Sequence, residues 1–217
     1  MMSLPLAQPG QRLSVLCLGA HPDDIEIGVG GTLLSWIAQG VQLEVDWCVF
    51  SATSRRAHEA EASAAAFLTG AVGRHLRLAE FPDSRFPSHS DAIKDWLLAV
   101  REQVSPQVIF THQRLDAHQD HRTVCELTWN LFRDHLIFEY EIPKWDGDFG
   151  QPNYFMPLSD HILVRKIDLL MTHFGTQRSK DWFQPETFRA LARLRGLECR
   201  AADQWAEGFF ARKVRLA

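Results

Sequence analysis

The stretch Gly19-Ala20-His21-Pro22-Asp23-Asp24-Ile25-Glu26-Ile27-Gly28-Val29-Gly30-Gly31-Thr32-Leu33 decides how the rest of the chain is read. Just before it, Ser14-Val15-Leu16-Cys17-Leu18 is a short apolar run of the kind that forms a buried strand. After it, Leu33-Leu34-Ser35-Trp36-Ile37 continues with apolar residues at helical spacing. One imidazole and two adjacent carboxylates therefore sit at a strand-to-helix turn. In an open α/β sheet the carboxyl ends of the strands are where sites are built, so these groups face a crevice rather than a core. Pro22 stiffens the turn by fixing its own φ and holding His21 extended. The residues also admit blander readings. Asp23 and Asp24 suit a helix cap and first turn. The glycines suggest a dinucleotide-binding turn, but Gly28-Val29-Gly30-Gly31 does not match G-x-G-x-x-G, and two carboxylates would repel a pyrophosphate.

Outward from this turn, residues 1–11 are turn-prone and read as a frayed lead-in. The first helix is expected over about 25–39, ended by Gly40, and a second strand over 41–50. Ser51-Ala52-Thr53-Ser54 offers hydroxyls to cap an Ala-rich helix over 56–68, and a third strand is expected near 75–78. The loop Glu80-Phe81-Pro82-Asp83-Ser84-Arg85-Phe86-Pro87 is bracketed by prolines. A helix over 91–104 places Ile93, Trp96, Leu97 and Val100 on one face, and a buried strand follows over 107–111. Strands alternating with helices predict an α/β fold, a three-layer α/β/α sandwich on a mostly parallel sheet. In the C-terminal part, a strand over 136–142, a flexible connection over 147–153, a helix over 162–174 and a last helix over 188–194 ended by Gly196 are expected.

At 217 residues and 46% hydrophobic content the chain suits one domain, 1–217, with a sizeable core. A formal charge of -4, with both signs spread along the chain, supplies no basic field for nucleic acid or an anionic membrane. Cys17, Cys48, Cys125 and Cys199 are widely separated and read as small apolar residues rather than a disulfide framework. Together with the lack of an export signal or a long apolar stretch, this points to a cytoplasmic, soluble protein. Trp145 and Trp182 fall in loop-like surroundings. They read first as core residues and second as platforms for a sugar face.

The second polar cluster, His112-Gln113-Arg114-Leu115-Asp116-Ala117-His118-Gln119-Asp120-His121-Arg122, follows the 107–111 strand and so occupies the same kind of place as the first. His118 and His121 are three apart and present both imidazoles to one side of a helical turn, a spacing that by itself is common surface decoration. Two such clusters at strand ends can meet in one crevice, with donors suited to a borderline metal ion.

Ala20-His21-Pro22-Asp23-Asp24 with Gly30-Gly31-Thr32-Leu33, and then Asp116-x-His118-x-Asp120-His121-Arg122, resemble the two signature motifs of the PIG-L (LmbE-like) zinc-dependent N-deacetylases. Pro152-Asn153-Tyr154-Phe155, Lys166, Gln177 and Ala206-Glu207-x-Phe209 are more loosely similar to the family's C-terminal half. The resemblance implies a Rossmann-like fold and hydrolysis of an N-acyl group, usually acetyl, from an N-acetylglucosamine-type sugar. It implies His21, Asp24 and His121 as ligands of Zn2+, or of another divalent ion, with a fourth position left for water. Asp23 is implied as the base, His118 as the oxyanion donor and acid, and Asp120 as the group that orients His118 and keeps it protonated. Arg55 or Arg56, and Asp83, match places where the family meets substrate hydroxyls and phosphates, although each also suits a plain surface position. Glu26 departs from the commoner form, which has Glu directly after the second Asp. The expected partner is a small N-acetylated sugar or related glycoside, with no nucleic acid or membrane; a homo-oligomer is compatible with the sequence. The rival readings are another mononuclear metallohydrolase, such as a phosphoesterase, and a non-catalytic binding module that keeps the metal.

Overall fold

In the computed structural model, β1 (Arg12–Gly19) turns Leu13, Val15 and Cys17 to one apolar layer and Leu16 and Leu18 to another, all almost fully buried. A strand covered on both faces needs helices on both sides, which explains its unbroken apolar run. It pairs in parallel with β2 (Gln42–Val49) on one edge and β4 (Val108–His112) on the other. β3 (Gly73–Leu78) extends the sheet beyond β2, and β5 (Leu136–Tyr140) extends it beyond β4, again in parallel. β7 (Trp205–Ala211) and β6 (Tyr154–Leu158) complete it in antiparallel fashion, giving the order β3-β2-β1-β4-β5-β7-β6. The structure describes residues 2–215. Met1 of the expected lead-in, and Met1, Leu216 and Ala217 of the expected 1–217 unit, lie outside the described residues.

Residues of α1 (Asp24–Ala38), α2 (Ser54–Phe67), α5 (Asp160–His173) and α6 (Pro185–Cys199) join the layer of Val15 and Cys17. Residues of α3 (Ser90–Arg101) and α4 (Gln119–Leu131) join that of Leu16 and Leu18. The architecture is therefore the α/β/α sandwich. After β1 the chain moves through α1 to β2 on one side, whereas β4 lies on the other side of β1. This reversal opens a crevice at the carboxyl ends of β1 and β4, where connections diverge. Both polar clusters lie there.

α1 is the central helix, with Asp24 through Trp36 buried. Its glycines serve packing rather than phosphate binding. A Cβ on Gly28 would lie 2.2 Å from the Tyr140 ring, and one on Gly31 would lie 2.8 Å from Glu207 Oε1. Glu207 reaches from β7 to accept the Gly31 and Thr32 backbone N–H groups, each at 2.7 Å, while Lys166 of α5 donates to Ile27 O at 2.5 Å and to Glu207 at 2.7 Å.

Several expected boundaries shift by one to three residues. Three differences have a physical cause. The antiparallel β6 and β7 have no counterpart among the expected elements, since neither short segment alternates cleanly. The last helix is longer than 188–194, and Gly196 lies within it rather than ending it. Gly196 is demanded by a close approach, because a Cβ there would meet Gln204 O at 2.0 Å, and the helix ends at Arg200 with φ 56°. Trp145 is not a core residue: it is 68% exposed. The four cysteines are unpaired, three of them buried. Among the described residues, no helix is long and apolar enough to cross a membrane.

Candidate active site

The turn between β1 and α1 is pulled tight by Asp24, whose Oδ2 accepts the His21 N–H at 2.7 Å. This places His21 Nδ1 3.4 Å from Asp24 Oδ2. From the start of α4, His121 Nε2 approaches His21 Nδ1 to 3.3 Å and Asp24 Oδ1 to 3.6 Å. Two ring nitrogens and a carboxylate thus converge, all three residues buried. Ligands at about 2.0–2.1 Å from a tetrahedral zinc stand about 3.3–3.4 Å from one another, so this spacing suits such an ion. The donor set, two imidazoles and one carboxylate, is also of the type used by catalytic zinc.

Two other groups of ligand type adjoin this one, His112 with Asp116 and His121, and His21 with Asp83, His118 and Asp120. Their carboxylates are already engaged. Asp116 accepts the His118 N–H at 2.8 Å and pairs with His121 Nδ1 at 3.0 Å and Lys144 Nζ at 3.0 Å. Asp120 accepts the Ser84 and Phe86 N–H groups at 2.6 Å and 3.0 Å. Both therefore orient histidines from behind, Asp116 holding His121 and Asp120 holding His21 Nε2 at 3.2 Å.

Asp120 was expected to fix His118, and here the geometry differs. Its carboxylate goes to His21, and only its backbone N–H bonds His118, donating to Nδ1 at 3.2 Å. His118 is the N-cap of α4. With Nδ1 accepting, the neutral ring carries its proton on Nε2, free to donate. Burial and the neighbouring His21 charge lower the pKa of His118, against the pull of Asp120 and Asp24.

Asp23 lies beside this cluster and takes the N-cap position of α1, its carbonyl accepting the Ile27 N–H at 2.9 Å. It precedes α1 with φ 103°, a left-handed conformation disfavoured for Asp, and its side chain makes no capping bond. Burial and the adjacent Asp24 push its carboxyl up to about 7, opposed by Arg56, Lys180 and His21. Asp24 itself moves the other way. Burial raises its pKa, but the charges of His121 and His112 outweigh that and hold it well below the carboxylate range.

Of the paired arginines, the structure brings only Arg56 to the crevice. Its guanidinium donates to Pro22 O at 3.2 Å and Asp83 Oδ2 at 3.3 Å, and stands 3.8 Å from Asp23. Arg55 points away, its side chain 78% exposed and 3.9 Å from Glu59. Adjacent residues on a helix diverge by about 100°, so one of the pair had to turn outward. Asp83 meets His21 Nε2 at 3.2 Å, and that bond, with the charges of His21 and Arg56, holds it well below the usual carboxylate range. Glu26 is buried against α2, and that burial pushes its carboxyl up to about 8; it lies outside the cluster.

The sequence reading missed four contributors. His112, last residue of β4, accepts the Ala20 N–H at 3.0 Å and lies 3.2 Å from Asp24. Tyr140 donates to Leu18 O at 2.6 Å beneath it. Lys144 neutralises Asp116, and Lys180 brings positive charge to Asp23. A His closing an apolar strand that feeds the second cluster was a legible signal; the other three lie far away in sequence with no motif around them.

Residues 16–132, more than half of the chain, match the family PIG-L, GlcNAc-PI de-N-acetylase. The chain belongs to the PIG-L family. It is 26% identical over 184 residues to the uncharacterized deacetylase YaiS of Escherichia coli K12, covering 77% of this chain and 94% of YaiS. Among solved structures it is similar to the N,N'-diacetylchitobiose deacetylase of Pyrococcus horikoshii, with TM-score 0.67 and 21% identity over 92% of this chain and 83% of the other. It is also similar to GalB, the 4-carboxy-2-hydroxymuconate hydratase of Pseudomonas putida KT2440, with TM-score 0.75 and 17% identity over 94% and 98% of the two chains. At these identities the two structures share the PIG-L fold with this chain, and their different reactions leave the chemistry to be argued from side chains.

Proposed function

We propose that the protein is a zinc-dependent amidohydrolase that removes an acetyl group from an N-acetylglucosamine-type sugar or a small glycoside of one. The observation that carries this reading is the convergence of His21, Asp24 and His121 with an unligated carboxylate and an N–H donor beside them. A structural metal site needs neither of the last two. His21, Asp24 and His121 would hold the ion. Bound there, Zn2+ supplies Lewis acidity to the acyl carbonyl and makes water more acidic.

Asp23 takes the proton from the attacking water as its oxygen bonds to the acyl carbon. It delivers that proton to the amide nitrogen as the C–N bond breaks, leaving acetate and the sugar amine. His118, protonated on Nε2, donates to the developing oxyanion. Asp120 and Asp116 hold the rings of His21 and His121 in place. Arg56 and Asp83 are half-open at the rim of the crevice and are the proposed contacts to sugar hydroxyls. A cytoplasmic location and action as one domain are part of the same reading, supported by unpaired cysteines and a single sheet.

Zinc content and acetate release, measured together on Asp23→Asn, test this assignment. The variant should keep one zinc and its substrate affinity and lose on the order of 10²-fold to 10⁴-fold in rate. A zinc-replete variant with near-normal turnover would remove Asp23 as the base.

A further inference from the structure

Trp145, in the connection between β5 and β6, is 68% exposed, yet its ring is fixed. The indole N–H donates to Asp181 Oδ1 at 2.6 Å, and the ring meets that of Trp182 edge-on, centroids 6.2 Å apart. Trp182 lies in turn under the Lys180 ammonium, 5.4 Å from its ring centroid. With its one polar atom bonded to protein, the surface that Trp145 still offers is an apolar ring face.

Both segments meeting at Trp145 lead inward to the candidate centre. Lys144, its neighbour, bonds Asp116, which holds His121. Lys180, next to Asp181, brings positive charge to Asp23. Asp148 closes the frame by accepting the Lys144 ammonium at 2.6 Å, the Ala117 N–H at 2.5 Å and the Gln113 side-chain N–H at 3.0 Å. The exposed Leu115 and Phe149 belong to these same tied segments. The segments that fix the ring are thus the same ones that brace the donor cluster, through Lys144 and Asp116 on one side and through Lys180 on the other.

We propose that the Trp145 ring face is an outer subsite that stacks on a ring carried by the substrate beyond the N-acetylated sugar. The shared chemistry is an apolar ring face, supplied either by the C–H groups of a second pyranose or by an aryl aglycone. A ring immobilised before binding loses little entropy when it stacks, which is what an affinity site needs. This inference rests on the deacetylase reading for the identity of the inner sugar.

The test compares three substrates, N-acetylglucosamine, its β-1,4-linked disaccharide and its phenyl β-glycoside, on the zinc enzyme, Trp145→Ala and Trp145→Phe. In Trp145→Ala the KM for the disaccharide or the phenyl glycoside should rise about five- to tenfold relative to that for N-acetylglucosamine, with kcat much less affected. Trp145→Phe should restore most of that ratio, and the substrate that responds identifies the source of the ring. Asp181→Ala, which keeps the ring but releases it, should move the same ratio by a smaller factor. Equal changes for all three substrates, or none, overturn the subsite. Calorimetric binding of the corresponding amines, which cannot be turned over, separates the two readings. If the wild-type enzyme hydrolyses none of the sugars, deacetylation of them fails. The subsite then stands only if Trp145→Ala weakens amine binding, and falls if the affinities are equal.

Discussion

Asp23 is the residue at which folding and chemistry pull apart. Its backbone has φ 103°, which costs a non-glycine residue about 1–3 kcal/mol, and its carboxyl is buried next to Asp24. Asp23→Gly should therefore raise stability by about 1 kcal/mol while abolishing turnover, read from denaturant midpoints and acetate release. A less stable glycine variant would show that the turn is not strained by its side chain. Asp116 presents the opposite case, a buried carboxylate whose bonds to His121, Lys144 and the His118 N–H serve only to aim a ring. Asp116→Asn keeps its shape but weakens that hold. Zinc affinity should drop about 10–100-fold, measured by competition with a chelating dye. Unaltered affinity would mean that His121 is aimed by packing alone.

At the scale of elements, the placement of α1 depends on an ion pair inserted against its middle. Lys166 takes the Ile27 carbonyl, and Glu207 takes the Gly31 and Thr32 amides and the Thr32 hydroxyl. The clamp joins α5 and β7 to the helix whose first turn carries Asp24, and glycine at 31 makes room for it. Removing one partner leaves the other charge buried, so Lys166→Met should cost about 3–5 kcal/mol, measured by chemical denaturation. The double change Lys166→Met with Glu207→Gln leaves no unpaired charge and should recover part of that loss. A double variant no better than the single would mean that the shape of the clamp matters more than its charge.

Across the whole molecule, the proposed metal ligands come from the β1–α1 turn and the start of α4, which no short stretch of sequence connects. An ion bound there ties the two halves of the sheet together across the crevice. It should stabilise the fold by about 2.7 kcal/mol at a hundredfold excess over its dissociation constant, so chelation should lower Tm in the wild type and much less in His21→Ala. Equal shifts in both proteins would place the ion elsewhere. Much of this architecture was legible beforehand. The apolar runs at 14–18 and 107–111, each ending in a polar cluster, carried the strand-to-helix turns, the parallel core of the sheet and the crevice, because period and turn chemistry are local properties. His21, Asp23, Asp24, His118 and His121 were likewise visible as motif residues, and the family followed from them. What only the tertiary structure decided depends on direction and on partners distant in the chain. Arg56 rather than Arg55 faces the crevice because a helix was set at one rotation by its packing. Asp120 serves His21 because the start of α4 brings its carboxylate there, while the backbone beside it engages His118. Lys144, Lys166, Lys180 and Glu207 have no local signature, since a buried charge is explained only by the partner that folding brings to it.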